Sequence, residues 1–337
     1  MTTILSRGLC AAALLALAGT AAHAQETKLI MTSLSPPQSP NSVFFAAWAK
    51  KVDDAAKGAI TVDLRDGISL ATFGNTYDRT QNDVIQIGWV QHGLVAGKFP
   101  LSEVAGLPFV VDDIGAGAAA LWRLYKSGLM NAEYAETVPL WYGLLGLQGL
   151  HFAKTPKSLD NLGGAKLRIN GRVVGQLVEI MGGTPISMQS EDMYGALQRG
   201  TIDGIAIAWI ALETFKLYEQ TRYHVEAPLA NDDGFLFMNK DSYAKLPAKM
   251  KTAVDKYSGE ALVRRIIKVV ADATESSRKV TMANANQTMI NLEPAEEARW
   301  RAAVAPVMEE WVKSVPNGAA ILAAYREEVK KVRGGGM

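Results

Sequence analysis

Strand, helix and strand follow one another at the spacing of a βαβ unit. This alternation restricts the fold most, because it calls for a parallel sheet covered by helices. Residues 28–33 (KLIMTS) read as a first strand, after which Pro36, Pro37 and Pro40 hold the chain in a loop. Asn41 is placed to cap a helix whose apolar residues include Phe44, Phe45, Trp48 and Val52. Lys57-Gly58 ends that helix, and Ile60, Val62 and Leu64 then alternate with Thr61 and Asp63 as a second strand. A helix over 76–82 and a strand over 84–90 follow.

The same grammar returns mid-chain. Residues 166–169 (KLRI) form a short strand, 173–181 a helix stopped by Gly182-Gly183, and 184–188 another strand. A helix over 191–198, a stop at Arg199-Gly200 and a strand over 202–210 complete the series. Segments 81–87 and 198–204 are alike, each a helix end running into an apolar strand, so two similar α/β lobes are expected rather than one long sheet. The last third is helical. Residues 248–288 contain no proline and one glycine, Gly259, a run longer than an ordinary globular helix. It either bends or breaks near Gly259 or bridges both lobes. Further helices are expected over 294–313 and 317–332.

Composition excludes several classes. With 35 Lys plus Arg against 34 Asp plus Glu, the net charge is +1, without the basic excess of a nucleic-acid protein. Residues 1–24 carry Arg7, a short apolar run and Ala22-His23-Ala24, the pattern of a cleaved secretory leader. That run is too short to span a bilayer, and no later stretch is long enough. The single cysteine, Cys10, lies in the leader, so the mature chain has no disulfide, thiolate metal site or Cys nucleophile. A periplasmic protein is expected.

Catalytic signatures are missing. His92, His151 and His224 lie far apart in sequence and have no metal-ligand spacing, so structural roles are expected. There is no G-x-S-x-G elbow, and Gly93 to Lys98 falls one residue short of a P-loop and runs into Phe99-Pro100. Gly115 to Ala120 fits G-x-G-x-x-A, but Asp112 and Asp113 precede it, so a small-residue helix start is the better reading. Asp112-Asp113 and Asp232-Asp233 read as solvated turns. No metal or other cofactor is expected, and a secreted hydrolase would need a nucleophile–base pair that is not found.

Residues 159–168 (LDNLGGAKLR), 182–189 (GGTPISMQ), 192–204 (DMYGALQRGTIDG) and 215–224 (FKLYEQTRYH) occur in an order that resembles the solute-binding proteins of tripartite ATP-independent periplasmic (TRAP) transporters. Residues 99–109 (FPLSEVAGLPF) and 237–240 (FMNK) are similar to further motifs of that family. The resemblance spans nearly the whole mature chain. It implies an α/β, two-lobe periplasmic binding protein fold with crossing strands and a long bridging helix. The lobes expected from it are 25–149 with 233–275 and 150–232 with 276–333, with a flexible tail at 334–337. It also implies a monomer that captures a small organic acid, hands it to a TRAP permease in the membrane and catalyses no reaction.

Arg168 matches the family's carboxylate-binding arginine, and a guanidinium fork suits a carboxylate; without the resemblance, a structural ion pair would be the reading. The chain departs from the pattern at Ile205 to Trp209, where many members carry a ligand-binding asparagine. That loss argues against a sugar acid or dicarboxylate, and Trp209 either stacks on an apolar or aromatic ligand or packs in the core. Trp89, at a strand end beside Gln91-His92-Gly93, is a candidate contact. Phe44 and Phe45 open the first helix, one of them for the core. Phe109, Phe235 and Phe237 are further candidates. Arg172 is either a second anchor or a solvated residue at a helix start. The expected ligand is a monocarboxylate with an apolar or aromatic body; a branched aliphatic or 2-keto acid, or a periplasmic sensor role, is the alternative.

Overall fold

The computed structural model describes residues 27–156, 162–226 and 229–335. The expected leader, the first residues of the LDNLGG motif and the last two residues of the expected tail lie outside these. The first βαβ unit forms as its pattern predicts: β1 (Thr27–Thr32) and β2 (Ile60–Arg65) pair in parallel around the helix Pro40–Ala56. That helix is capped by Ser39 rather than Asn41. The Ser39 hydroxyl accepts from the Ser42 N–H at 3.3 Å, and Pro40 takes the first helical position, where its missing N–H costs nothing. β3 (Ile87–Val90) begins later than expected and is buried throughout.

The remaining strands are β4 (Thr137–Phe152), β5 (Lys166–Ile169), β6 (Thr184–Ser187), β7 (Gly204–Ala208), β8 (Tyr223–Val225), β9 (Asn231–Asn239) and β10 (Thr288–Ile290). Their order is β2-β1-β3-β9-β4-β7-β5-β6, with β8 on β4 and β10 on β8. β4 joins the two halves. Its first part pairs antiparallel with β9, from Thr137 opposite Asn239 to Leu147 opposite Asn231. Its last part, Gln148 to Phe152, pairs with β7. β4 and β9 are therefore the crossing strands of a two-lobe fold.

The long C-terminal run breaks at Gly259, between the helices Ala248–Lys256 and Glu260–Met282. Gly259 has φ +66, its N–H donates to the Leu140 carbonyl at 2.6 Å, and a Cβ there would stand 2.7 Å from the Trp122 ring. Both the left-handed φ and the close ring demand glycine. Gly259→Ala is expected to destabilise by about 1–3 kcal/mol, read as a lower Tm in a calorimetric scan; an unchanged Tm would refute this account of the junction. The helix Glu260–Met282 packs on β4, on the helix Ile114–Lys126 and on the helix Trp209–Thr214, bridging both halves. Ser277 fastens its far end, donating to the Trp209 carbonyl at 2.5 Å and accepting from the Glu213 N–H at 3.1 Å.

The glycine-alanine stretch 115–120 is a helix start, with the Asp113 carboxylate accepting from the Ala116 N–H at 3.0 Å. Its small residues admit the C-terminal helix Gly318–Arg333, whose Tyr325 hydroxyl donates to the Gly117 carbonyl at 3.2 Å. No helix among the described residues is long and apolar enough to cross a membrane.

Candidate functional site

A cleft opens where the strand ends of the two half-sheets face each other across β4 and β9. Ser35, Phe73, Trp89 and Gln91 form one wall, Ser190, Ile207, Ile210 and Phe215 the other, and Leu145 and Asp232 line it from the crossing strands. The halves touch on either side of it. Phe73 meets Phe215 edge-on at 6.2 Å between ring centres. At the other side Arg172 forms an ion pair of 2.7 Å with Glu103, and Gly93 abuts Asn170 and Gly171.

Arg168 lies on β5 between β6 and β7, opposite Ile186 and Ile205, and is fully buried. Its Nε donates to the Met188 carbonyl at 3.0 Å and its Nη2 to the Ser190 hydroxyl at 3.3 Å. Nη1 has no partner, and among the described residues no acid lies within ion-pair distance of the guanidinium. The structural ion pair that would explain Arg168 without a ligand is therefore not formed. Burial lowers its pKa to about 10, against the opposing charges of Asp232 and Glu191, so it stays charged at neutral pH. Arg168 does not itself line the cavity; its guanidinium stands directly behind Ser190, which does.

Asp232 corrects one expectation. Asp232-Asp233 is not a solvated turn but the start of β9, where neighbouring side chains point to opposite faces. Asp232, 2% exposed, faces the cleft, and Asp233 turns to the His92 ring, 2.7 Å from Nδ1. Asp232 Oδ1 accepts from Gln148 Nε2 at 2.7 Å and from Asn170 Nδ2, and Oδ2 accepts from the Ala208 N–H at 2.8 Å. Burial pushes its pKa up to about 6, held back by the Ala208 N–H and the charge of Arg168. Trp89 Nε1 and Ser35 Oγ, in the opposite wall, have no hydrogen-bond partner.

Of the residues singled out from sequence, Trp89 lines this cleft and Arg168 stands behind its Ser190 wall. Trp209 does neither. The strand ends at Ala208 and a helix begins at Trp209, which turns its ring onto His151 at 4.9 Å and His224 at 5.1 Å, under the Arg278 guanidinium. Ile207 and Ile210 take the cavity positions instead. Phe44 packs edge-on against Phe45, outside the lining, and Phe45 meets the Trp89 ring at 6.0 Å. Phe109 lies beneath the Arg301 guanidinium, 4.0 Å from its ring centre, away from the cleft. Phe235 and Phe237 are fully buried and stacked on each other at 4.5 Å, with His92 on the far face of Phe235. Arg172 is held by Glu103 beside the cleft rather than inside it. Sequence reasoning missed Asp232, Phe73, Phe215 and Ser190; of these only Phe215 lies in a family-like motif, residues 215–224.

The histidines are closer than their numbering suggests. β4 and β8 pair with His151 opposite His224, so the two Nδ1 atoms lie 2.9 Å apart, and burial lowers the His151 pKa to about 3. Among the described residues no group of acids, histidines or cysteines is arranged to hold a metal ion.

Two half-sheets joined by crossing strands and a bridging helix, closed over a cleft with a buried cation behind its wall, define a two-lobe solute-binding protein. Residues 31–314 match the family described as bacterial extracellular solute-binding protein, family 7 (DctP), and the chain belongs to that family, the solute-binding proteins of TRAP transporters. The family is extracytoplasmic, binds small organic acids and works with membrane permease subunits; its fold is that of binding proteins, not enzymes. The chain is 26% identical to the outer membrane transporter protein TsaT of Comamonas testosteroni over 339 aligned residues, 96% of this chain and 97% of that protein. Its fold is similar to a TRAP solute-binding protein of Rhodoferax ferrireducens in complex with copurified benzoate (TM-score 0.86, 25% identity, 92% of this chain and 100% of that one). It is also similar to a marine metagenome TRAP protein specific for aromatic acid ligands, co-crystallized with 3-hydroxybenzoate (TM-score 0.85, 26% identity, 91% of this chain and 98% of that one).

Proposed function

We propose that the protein captures a monocarboxylate with an apolar, aromatic body in the periplasm and delivers it to a TRAP permease, catalysing no reaction. The observation that carries this reading is the unpartnered Nη1 of a fully buried Arg168. A buried charge is retained only where it is paired, and a ligand carboxylate supplies the pair. Each charge-assisted bond contributes about 1.5–3 kcal/mol, a large share of the about −8 kcal/mol of a micromolar binder. Phe73, Trp89, Phe215, Ile207 and Ile210 give the cleft apolar walls for a ring. The benzoate and 3-hydroxybenzoate complexes of the two similar structures support the same class. The mature protein begins after residue 24, acts as a monomer, and divides into lobes at 149/150, 232/233 and 275/276.

A thermal-shift screen of the mature chain tests the reading. Aromatic monocarboxylates at 100 times their dissociation constants are expected to stabilise by about 2.7 kcal/mol, and their neutral amides not at all. Shifts confined to dicarboxylates or sugar acids would overturn it.

A further inference from the structure

We infer that Asp232 is a second recognition group, which accepts a hydrogen bond from a hydroxyl on the ligand, so that the preferred ligand is a hydroxylated aromatic acid rather than the plain one. This rests on the proposed carboxylate contact at Arg168. Asp232 lines the cleft, is 2% exposed, and carries no cation within ion-pair distance among the described residues. Its three hydrogen bonds come from Gln148 and Asn170 at Oδ1 and from the Ala208 N–H at Oδ2. A carboxylate offers about four lone-pair sites, so Oδ2 keeps one for a donor in the cavity.

A cation with a free donor thus stands behind the Ser190 wall, an anion with a free acceptor lines the cleft, and the two are not paired with each other. A ligand carboxylate satisfies the first and sits near the second. Without a donor of its own it leaves two carboxylates close together in a dry site, which disfavours both being ionised. Asp232, whose pKa burial and the nearby Asp233 already raise, would then take up a proton. A ligand hydroxyl removes that conflict by donating to Oδ2. The acid doublet before Gly234 resembles a turn, so this role is not visible in the sequence.

The test measures the affinities of benzoate, the three hydroxybenzoates and mandelate by titration calorimetry at neutral pH, for the wild type and Asp232→Asn. In the wild type one hydroxylated acid is expected to bind at least about tenfold more tightly than benzoate, as for a hydrogen bond to a charged group. The variant is expected to lose that ratio, whereas a purely structural role would weaken all the acids alike and leave the ratio intact. Titrations of the wild type in buffers of different ionisation enthalpy add a readout that needs no variant. Proton uptake is expected with benzoate and not with the preferred hydroxylated acid. Equal affinities for all the acids, a ratio that survives in Asp232→Asn, or equal proton uptake would each overturn the inference while leaving the carboxylate reading standing. Failure of every acid to bind would overturn both.

Discussion

Arg168→Ala is expected to cost at least about 100-fold in affinity for any aromatic monocarboxylate, the loss of two charge-assisted bonds. The guanidinium is fixed before any ligand arrives: Nε is tied to Met188 and Nη2 to Ser190, so the free Nη1 needs no ordering when it binds. Arg168→Lys keeps the charge but loses both the fork and the bond to the Met188 carbonyl, so affinity intermediate between wild type and alanine is expected. The stability of the empty protein should move the other way. Removing one partner of a buried ion pair destabilises strongly, but Arg168 has no such pair, so its desolvation is poorly offset. The ligand-free Tm of Arg168→Ala is therefore expected to stay within a few degrees of wild type or to rise. Calorimetry with benzoate, beside a thermal scan of the empty proteins, reads both. Affinity retained within a few-fold would show that the carboxylate is held elsewhere.

The sequence announced elements whose pattern is local. β1, the helix Pro40–Ala56 and β2 follow from alternation and from a 3.6-residue period, as do β5, β6 and the helix Arg172–Ile180 between them. β4 gave no such signal. Its sequence TVPLWYGLLGLQGLHF is apolar on both faces because both faces are covered, and its pairing with β9, β7 and β8 is set by partners 52 to 102 residues away. The same distance hid the His151–His224 pair, which exists only through that register. Trp209 was misplaced by one local decision. A strand continued to residue 210 keeps its ring on the sheet, whereas a helix starting at 209 swings it onto the histidines. Arg168 was legible only through the family resemblance, since one arginine in a four-residue strand is no signal by itself. Asp232 was illegible because its cleft-facing position depends on the two half-sheets meeting.

Gly93→Ala is expected to keep the protein from closing. Gly93 sits in the turn His92–Leu94 that follows β3, and Asn170 and Gly171 follow β5, so the contact joins the end of one half-sheet to the end of the other. A Cβ on Gly93 would overlap the Asn170 carbonyl oxygen and stand 3.1 Å from Gly171 Cα. Both obstacles are backbone, which cannot turn aside as a long side chain does. Gly93 is not in the left-handed region, so alanine suits its local conformation and the clash arises only when the lobes meet. Forcing the loops apart also pulls on the Asn170 bond to Asp232 and on the Arg172–Glu103 pair. Overpacking of this kind costs about 1–3 kcal/mol, and each 1.4 kcal/mol is about tenfold in affinity, so a loss of about 5- to 150-fold is expected. Solution scattering should show the wild type compacting with saturating benzoate and Gly93→Ala staying extended. Gly175→Ala is the control, because a Cβ there meets only Ile169 and Pro185, at 3.8 Å or more, in the same groove. If Gly93→Ala binds and compacts as Gly175→Ala does, the two lobes do not need this contact to hold the ligand.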